Sequence, residues 1–220
     1  MAADTKERIL DTAERLFADH GFPATSLRDI TQEAGVNLAA VNYHFGGKEG
    51  LLVEVLERKI APVNEKRLAQ LEELEAAAGS DAVPTEQLVR AFVTPLCEKW
   101  CKQDPSVPKF MKLVGRIHAE VDHDLRAKFI KQFDTVLHRF SSAFHRGLPH
   151  LDATEVQWRM LFLVGSMAHS MTWGGSFVAL GGRDRHDPEE IFEALIQFAT
   201  AGMSAPVLEP VAVGIGRGSR

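Results

Sequence analysis

Apolar residues recur at intervals of three and four along almost the whole chain, and no stretch alternates like a strand, so the pattern predicts an all-α protein. The first stripe, Ile9, Ala13, Leu16 and Phe17, predicts a helix over 5–19 that Gly21 stops. A second helix opens at Ser26, a natural N-cap, carries Leu27, Ile30 and Ala34 on one face, and ends at Gly35, where a left-handed turn costs least. Val36 fills the corner. Asn37 then caps a short third helix whose Val41 and Phe45 lie four apart and point inward, leaving Leu38, Ala39 and Asn42 outside. From Lys48 an amphipathic segment runs through Leu51, Leu52, Val55, Leu56 and Ile60 to Gly79, and Pro62 is expected to kink or break it. Further helices are expected at 85–102, 106–118, 121–147, 152–180 and 188–203, and the Pro-, Val- and Gly-rich residues 205–220 read as a mobile tail.

Cap, glycine turn and apolar spacing make 25–48 a helix-turn-helix. Its outer face is small and nearly uncharged, which suits close approach to base edges in a major groove: Asn42 can donate and accept at an adenine, while Leu38 and Ala39 can meet thymine methyls. Thr25, Ser26 and Arg28 before the first of these helices, with Asn37, Tyr43, His44 and Lys48 around the second, complete the expected DNA-contacting set. An ordinary helical corner would need none of these flanking donors, and their agreement in one window favours the DNA reading.

The stretch Glu7 to Leu56 resembles the DNA-binding domain of the TetR family of bacterial transcriptional regulators. The likeness rests on Ile9-Leu10-Asp11-Thr12-Ala13, Leu16-Phe17, Gly21-Phe22, Val41-Asn42-Tyr43-His44-Phe45 and Lys48-Glu49-Gly50-Leu51-Leu52. Leu38-Ala39-Ala40 departs from the more polar residues of many relatives, which bears on the bases read. The resemblance implies a three-helix DNA-binding domain at 1–50 and a helical effector-binding and dimerisation domain at 51–204. It also implies that the last two helices pair with their counterparts in a second subunit, with Trp158, Leu161, Phe162, Phe192, Leu195, Ile196 and Ala199 at that interface. DNA geometry asks for a homodimer too, since two reading helices about 34 Å apart match a palindromic double-stranded operator.

Charge changes the picture in one respect. The net charge is −5 with a pI near 6.0, and residues 1–50 hold five Lys or Arg against eight Asp or Glu, so DNA affinity must be local. The acids crowd the first helix, which is expected to face away from DNA. No apolar run approaches the ~20 residues of a membrane span, and the opening Met-Ala-Ala-Asp-Thr-Lys-Glu is unlike a secretory signal; no membrane partner and a cytoplasmic location are expected.

Trp100, Phe110, Met111, Val114, Ile117, Phe129, Phe133, Met167, Met171 and Trp173 supply an aromatic and Met-rich interior that could be plain core or the wall of a pocket for a small apolar effector. The segments 37–46 and 109–116 resemble the branch of the family that answers to fatty acids or acyl-CoA, with Lys109, Lys112 or Arg116 as candidates for an acidic head; a drug-like aromatic compound is the alternative effector. Cys97 and Cys101, four apart, are taken as reduced thiols rather than a metal or redox pair. His118 and Asp122 share a helical face but lack a third ligand, and His169 is expected as a hydrogen-bonded core or pocket residue. No catalytic residue, metal or cofactor is therefore expected. The expected function is a ligand-responsive regulator that leaves its operator when effector binds, against a rival lipid carrier or metal-dependent hydrolase.

Overall fold

The computed structural model describes residues 2–102, 104, 106–120, 123–173 and 187–207, without the side chains of 2, 3, 100, 106, 118–120 and 173. The expectations for the side chains of Trp100, His118 and Trp173, for Asp122, for 174–180 and for the tail beyond 207 lie outside these residues.

Ten helices and no strand occur among the described residues: α1 (Ala2–His20), α2 (Leu27–Ala34), α3 (Leu38–Phe45), α4 (Lys48–Ala78), α5 (Thr85–Cys101), α6 (Ser106–Glu120), α7 (His123–Lys131), α8 (Asp134–Gly147), α9 (Ala153–Trp173) and α10 (Pro188–Ser204). None of them is long and apolar enough to cross a membrane.

Two apolar cores organise the helices. The first joins Ile9, Ala13 and Phe17 of α1, Ile30 of α2, Val41 and Phe45 of α3 and the α4 residues from Leu51 to Ile60. Leu113 and Ile117 of α6 and Leu125 and Phe129 of α7 complete it. The second core is formed by α5, α8, α9 and α10 with Leu71 of α4 and Met111 of α6, around Phe92, Phe140 and Phe144. α4 runs through both cores. Asp187 caps α10, accepting from the backbone N–H of Glu189 at 2.9 Å, and Pro188 follows at the first turn, where its missing N–H costs nothing.

The chain departs from expectation at two joints. Pro62 does not break α4: it lies on the exposed side, so its ring meets solvent and one N–H bond is lost without ending the helix. Residues 121–147 do not form one helix. The backbone N–H groups of Gln132 and Phe133 bond three residues back, at 3.2 and 3.0 Å, tightening the turn between α7 and α8. The Gln132 carbonyl accepts from Asn64 Nδ2 at 3.1 Å, and its amide donates to the Val53 carbonyl at 3.2 Å. No glycine or proline marks this joint; α4, packed alongside, holds it.

Candidate nucleic-acid interface

The helix-turn-helix is built by caps at both of its helices. The Ser26 hydroxyl accepts from the Asp29 backbone N–H at 3.1 Å, and the Asp29 carboxylate accepts from the Ser26 backbone N–H at 2.9 Å and hydroxyl at 2.6 Å, a closed capping box. These bonds from Ser26 hold the Asp29 carboxyl below the usual carboxylate range. Gly35 ends α2 at φ 62°, and the Arg8 guanidinium reaches across from α1 to the carbonyls of Ala34 and, at 3.2 Å, Gly35. Asn37 Oδ1 accepts from the Ala40 N–H at 2.9 Å and sets the start of α3.

α3 turns Val41 and Phe45 into the core and exposes Leu38, Ala39 and Asn42, as its spacing predicts. Tyr43 is 85% exposed and meets His44 edge-on at 5.1 Å. The turn into α4 is crowded: a Cβ on Gly50 would sit 1.9 Å from the Phe45 carbonyl oxygen, so only glycine lets α4 start this close to the end of α3. Lys48, in the first turn of α4, lies with Nζ 4.4 Å from the Phe22 ring centre and donates to the Pro23 carbonyl at 3.4 Å. Partial burial lowers its pKa. The side chain is thus held against the turn that leads into exposed Ser26 and Arg28. Thr25, expected among the DNA contacts, is buried instead: its hydroxyl donates to the carbonyls of Gly21 at 2.8 Å and Leu16 at 3.2 Å, fastening α2 to the end of α1.

Three acids of α1 are turned toward α4. Arg58 donates to Glu7 at 2.9 Å and to Asp11 and Glu14 at 2.8 Å, and Lys59 meets Glu14 at 3.0 Å. Burial disfavours the Arg58 charge, but its three carboxylate partners outweigh that and raise its pKa. The negative charge of Glu7, Asp11 and Glu14 is therefore paired with cations of α4.

The other predicted residues divide. Trp158, Leu161 and Phe162 stand 53%, 56% and 63% exposed on α9. Phe192, Leu195, Ile196 and Ala199, expected beside them, are interior: that face of α10 packs on α5 and α9, whereas the large apolar side chain of Phe198, 68% exposed, points out. An open cleft of about 500 Å³ runs between α9 and α10, lined by Leu161, Phe162, Phe198 and Gly202 among others. Arg159, buried next to it, donates to Glu155 at 2.7 Å and to the carbonyls of Gly202, Met203 and Ala205 at 2.6–3.1 Å, closing the end of α10.

The expected effector wall is not one surface. Met111, Met167 and Met171 belong to the second core, whereas Ile117 and Phe129, with Val114 and Phe133 against them, pack in the first and bind α6 and α7 to α1 and α4; Phe110 touches both. Lys112 and Arg116 face α1, meeting the Asp19 carboxylate and carbonyl at 3.2 and 3.1 Å, and Lys109 is exposed, so none of the three heads an interior cavity. His169 lies on the exposed side of α9 rather than in the core. Cys97 is buried and Cys101 partly so, both free thiols, and burial raises both pKa values. No group of three potential metal ligands is gathered among the described residues.

Comparison with known proteins bears on the same parts. Residues 9–55 match the family model described as bacterial regulatory proteins, tetR family, and residues 90–202 match the tetracyclin repressor-like C-terminal domain. A probable HTH-type transcriptional regulator of Bacillus subtilis, YttP, is 44% identical over 52 residues, 24% of this chain and 25% of the relative. The HTH-type transcriptional regulator AcrR of Shigella flexneri is 39% identical over 67 residues, 30% of this chain and 31% of its own length. The matched part thus spans only about a quarter to a third of those proteins. A longer match, 27% identical over 83% of this chain and 88% of the relative, is to the uncharacterized B. subtilis regulator YxaF. Among solved structures, the fatty acid degradation regulator FadR of Bacillus halodurans superposes with a TM-score of 0.67 at 18% identity, covering 90% of this chain and 95% of that one. FadR of B. subtilis in complex with stearoyl-CoA gives 0.59 at 17% identity, covering 89% and 98%. At these identities the structures share the fold alone.

Proposed function

This chain belongs to the TetR family of bacterial transcriptional regulators, DNA-binding proteins rather than enzymes as a family, and from that premise we propose that it is an effector-released repressor acting as a homodimer. In this reading residues 1–50 read a palindromic operator and 51–204 dimerise and sense a small apolar molecule. The observation that carries it is the pairing, in one molecule, of an outward reading face (Leu38, Ala39, Asn42, Tyr43) with an uncovered apolar face on α9 and α10 (Trp158, Leu161, Phe162, Phe198). The first fits a groove; the second fits its own copy, with the cleft beside Phe162 and Phe198 receiving partner side chains.

Coupling needs a path between the cores. α6 and α7 supply one: Lys112 and Arg116 hold the end of α1, Lys128 holds Glu49 at 3.0 Å, and Leu113 and Ile117 enter the first core. A guest that displaces α4 or α6 would change the spacing of the two reading helices. About 5 kcal/mol of preference for the wider state takes occupancy from nearly full to nearly empty. A fatty acid or its CoA thioester is the effector class this reading favours, and the stearoyl-CoA complex of the B. subtilis neighbour supports it at the level of the fold.

The test is fluorescence anisotropy on the DNA upstream of the protein's own gene. Tyr43→Ala and Lys48→Ala should weaken binding on all sequences, Asn42→Ala should also change base preference, and affinity should fall steeply with salt. Unchanged affinity in all three variants would refute the reading.

A further inference from the structure

Arg67 lies at the middle of α4 and is 2% exposed, one of the largest fully buried side chains of the protein. Its surroundings do not neutralise it. Nε donates to the Phe92 carbonyl at 2.7 Å, one Nη to Asn64 Oδ1 at 3.2 Å, and the other only to the Met167 sulfur at 3.7 Å, while the guanidinium plane rests 4.2 Å from the centre of the Phe92 ring. A guanidinium has five N–H groups, so two find no acceptor among the described residues, and a third has only a weak one. The other buried arginine, Arg159, has Glu155 at 2.7 Å; Arg67 has no carboxylate partner among the described residues. Burial lowers its pKa to about 10, which leaves it charged at neutral pH.

A buried cation without a counter-ion is costly, and an apolar side chain would fill this place at less cost. The core that Arg67 borders through Phe92 and Met167 is also unusually yielding. Met111, Met160, Met167, Met171 and Met203, all the methionines except Met1, belong to the same core, and unbranched thioethers can swing aside for a guest.

We propose that the effector is an amphipathic monocarboxylate that enters this core head first: its carboxylate replaces the Met167 sulfur on Arg67, and its chain lies among the methionines. This rests on the effector-binding reading above and sharpens it. A compact carboxylate fits the planar fork of a guanidinium, whereas the bulky, multiply charged head of a CoA thioester cannot be buried there. Because Arg67 belongs to the helix that begins at Lys48, ~28 Å away at 1.5 Å per residue, the head would pull directly on the helix that enters the reading domain.

The test is calorimetric titration of the full-length protein with dodecanoate, methyl dodecanoate and dodecanoyl-CoA, on wild type, Arg67→Met and Arg67→Lys. Wild type should bind the acid at least roughly tenfold more tightly than the ester or thioester. Arg67→Met should lose that preference while keeping the ester, and Arg67→Lys should keep part of it. Unliganded Arg67→Met should also melt no lower than wild type, as expected when an apolar side chain replaces a buried cation without a counter-ion. Equal acid and ester binding by wild type, tighter thioester binding, or an acid preference that survives in Arg67→Met would overturn the role of Arg67 and leave the effector reading standing. No binding of any of the three, with operator binding intact, would overturn the apolar-effector reading and this inference with it. The wild-type ratios decide even if a variant does not fold.

Discussion

Replacing Phe162 by Glu separates an exposed apolar face that is a subunit interface from one that is bare surface. The ring is 63% exposed in the protomer and stacks on Trp158, 6.1 Å between centres, beside the α9–α10 cleft. With ~200 Å² of side-chain area, it leaves about 130 Å² uncovered in each copy. A two-fold axis covers both copies at once, so their burial contributes ~6 kcal/mol at 25 cal/mol per Å². Losing that alone raises the dimer dissociation constant by about four orders of magnitude, and two carboxylates forced into the same contact add to it. Sedimentation velocity at micromolar concentration should show wild-type dimer and Phe162→Glu monomer, with helix content unchanged because Phe162 supports neither core. Operator binding should weaken in parallel, since one reading head then binds alone. A Phe162→Glu protein that stays dimeric at the same concentration refutes the interface; one that loses its helices refutes the assignment of Phe162 to the surface.

Other positions test the architecture. Gly50→Ala places a Cβ 1.9 Å from a backbone oxygen and should cost about 3 kcal/mol in thermal or urea unfolding, whereas Gly115→Ala on α6, with open space around the new methyl, should be neutral or stabilising by up to ~1 kcal/mol. Arg58→Met removes the partner of three acids while leaving Lys59 on Glu14, and should lower stability by about 2 kcal/mol in urea and weaken DNA binding most at low salt. The bonds from Ser26 depress the Asp29 pKa in the folded state, so their contribution is present above the unfolded value, near 4, and fades as pH falls through the folded one. Asp29→Asn should therefore flatten the acid side of the stability profile below about pH 4 and leave its neutral side with the smaller loss of a neutral cap.

The reading motif was legible in the sequence because its determinants are local. Ser26, Gly35 and Asn37 act within three or four residues of their own position, and the spacing of Val41 and Phe45 decides which face of α3 is left outside. The existence of the later helices was legible for the same reason. What periodicity could not decide is which side of a helix apolar all round meets its own chain. Phe192, Leu195 and Ile196 went inward because α5 lies against α10, and Phe198 was left outside by the same contact. The break between α7 and α8 depends on Asn64, 68 residues away in sequence, and the Thr25 hydroxyl is buried against carbonyls at the end of α1. Composition showed an acidic reading domain; only the packing of α1 on α4 put Arg58 among three of its acids. Arg67 is the extreme case. In the sequence it is one more polar residue on a long amphipathic helix, and it becomes a buried cation only where α4, α5 and α9 converge, since burial belongs to the neighbours that enclose a side chain.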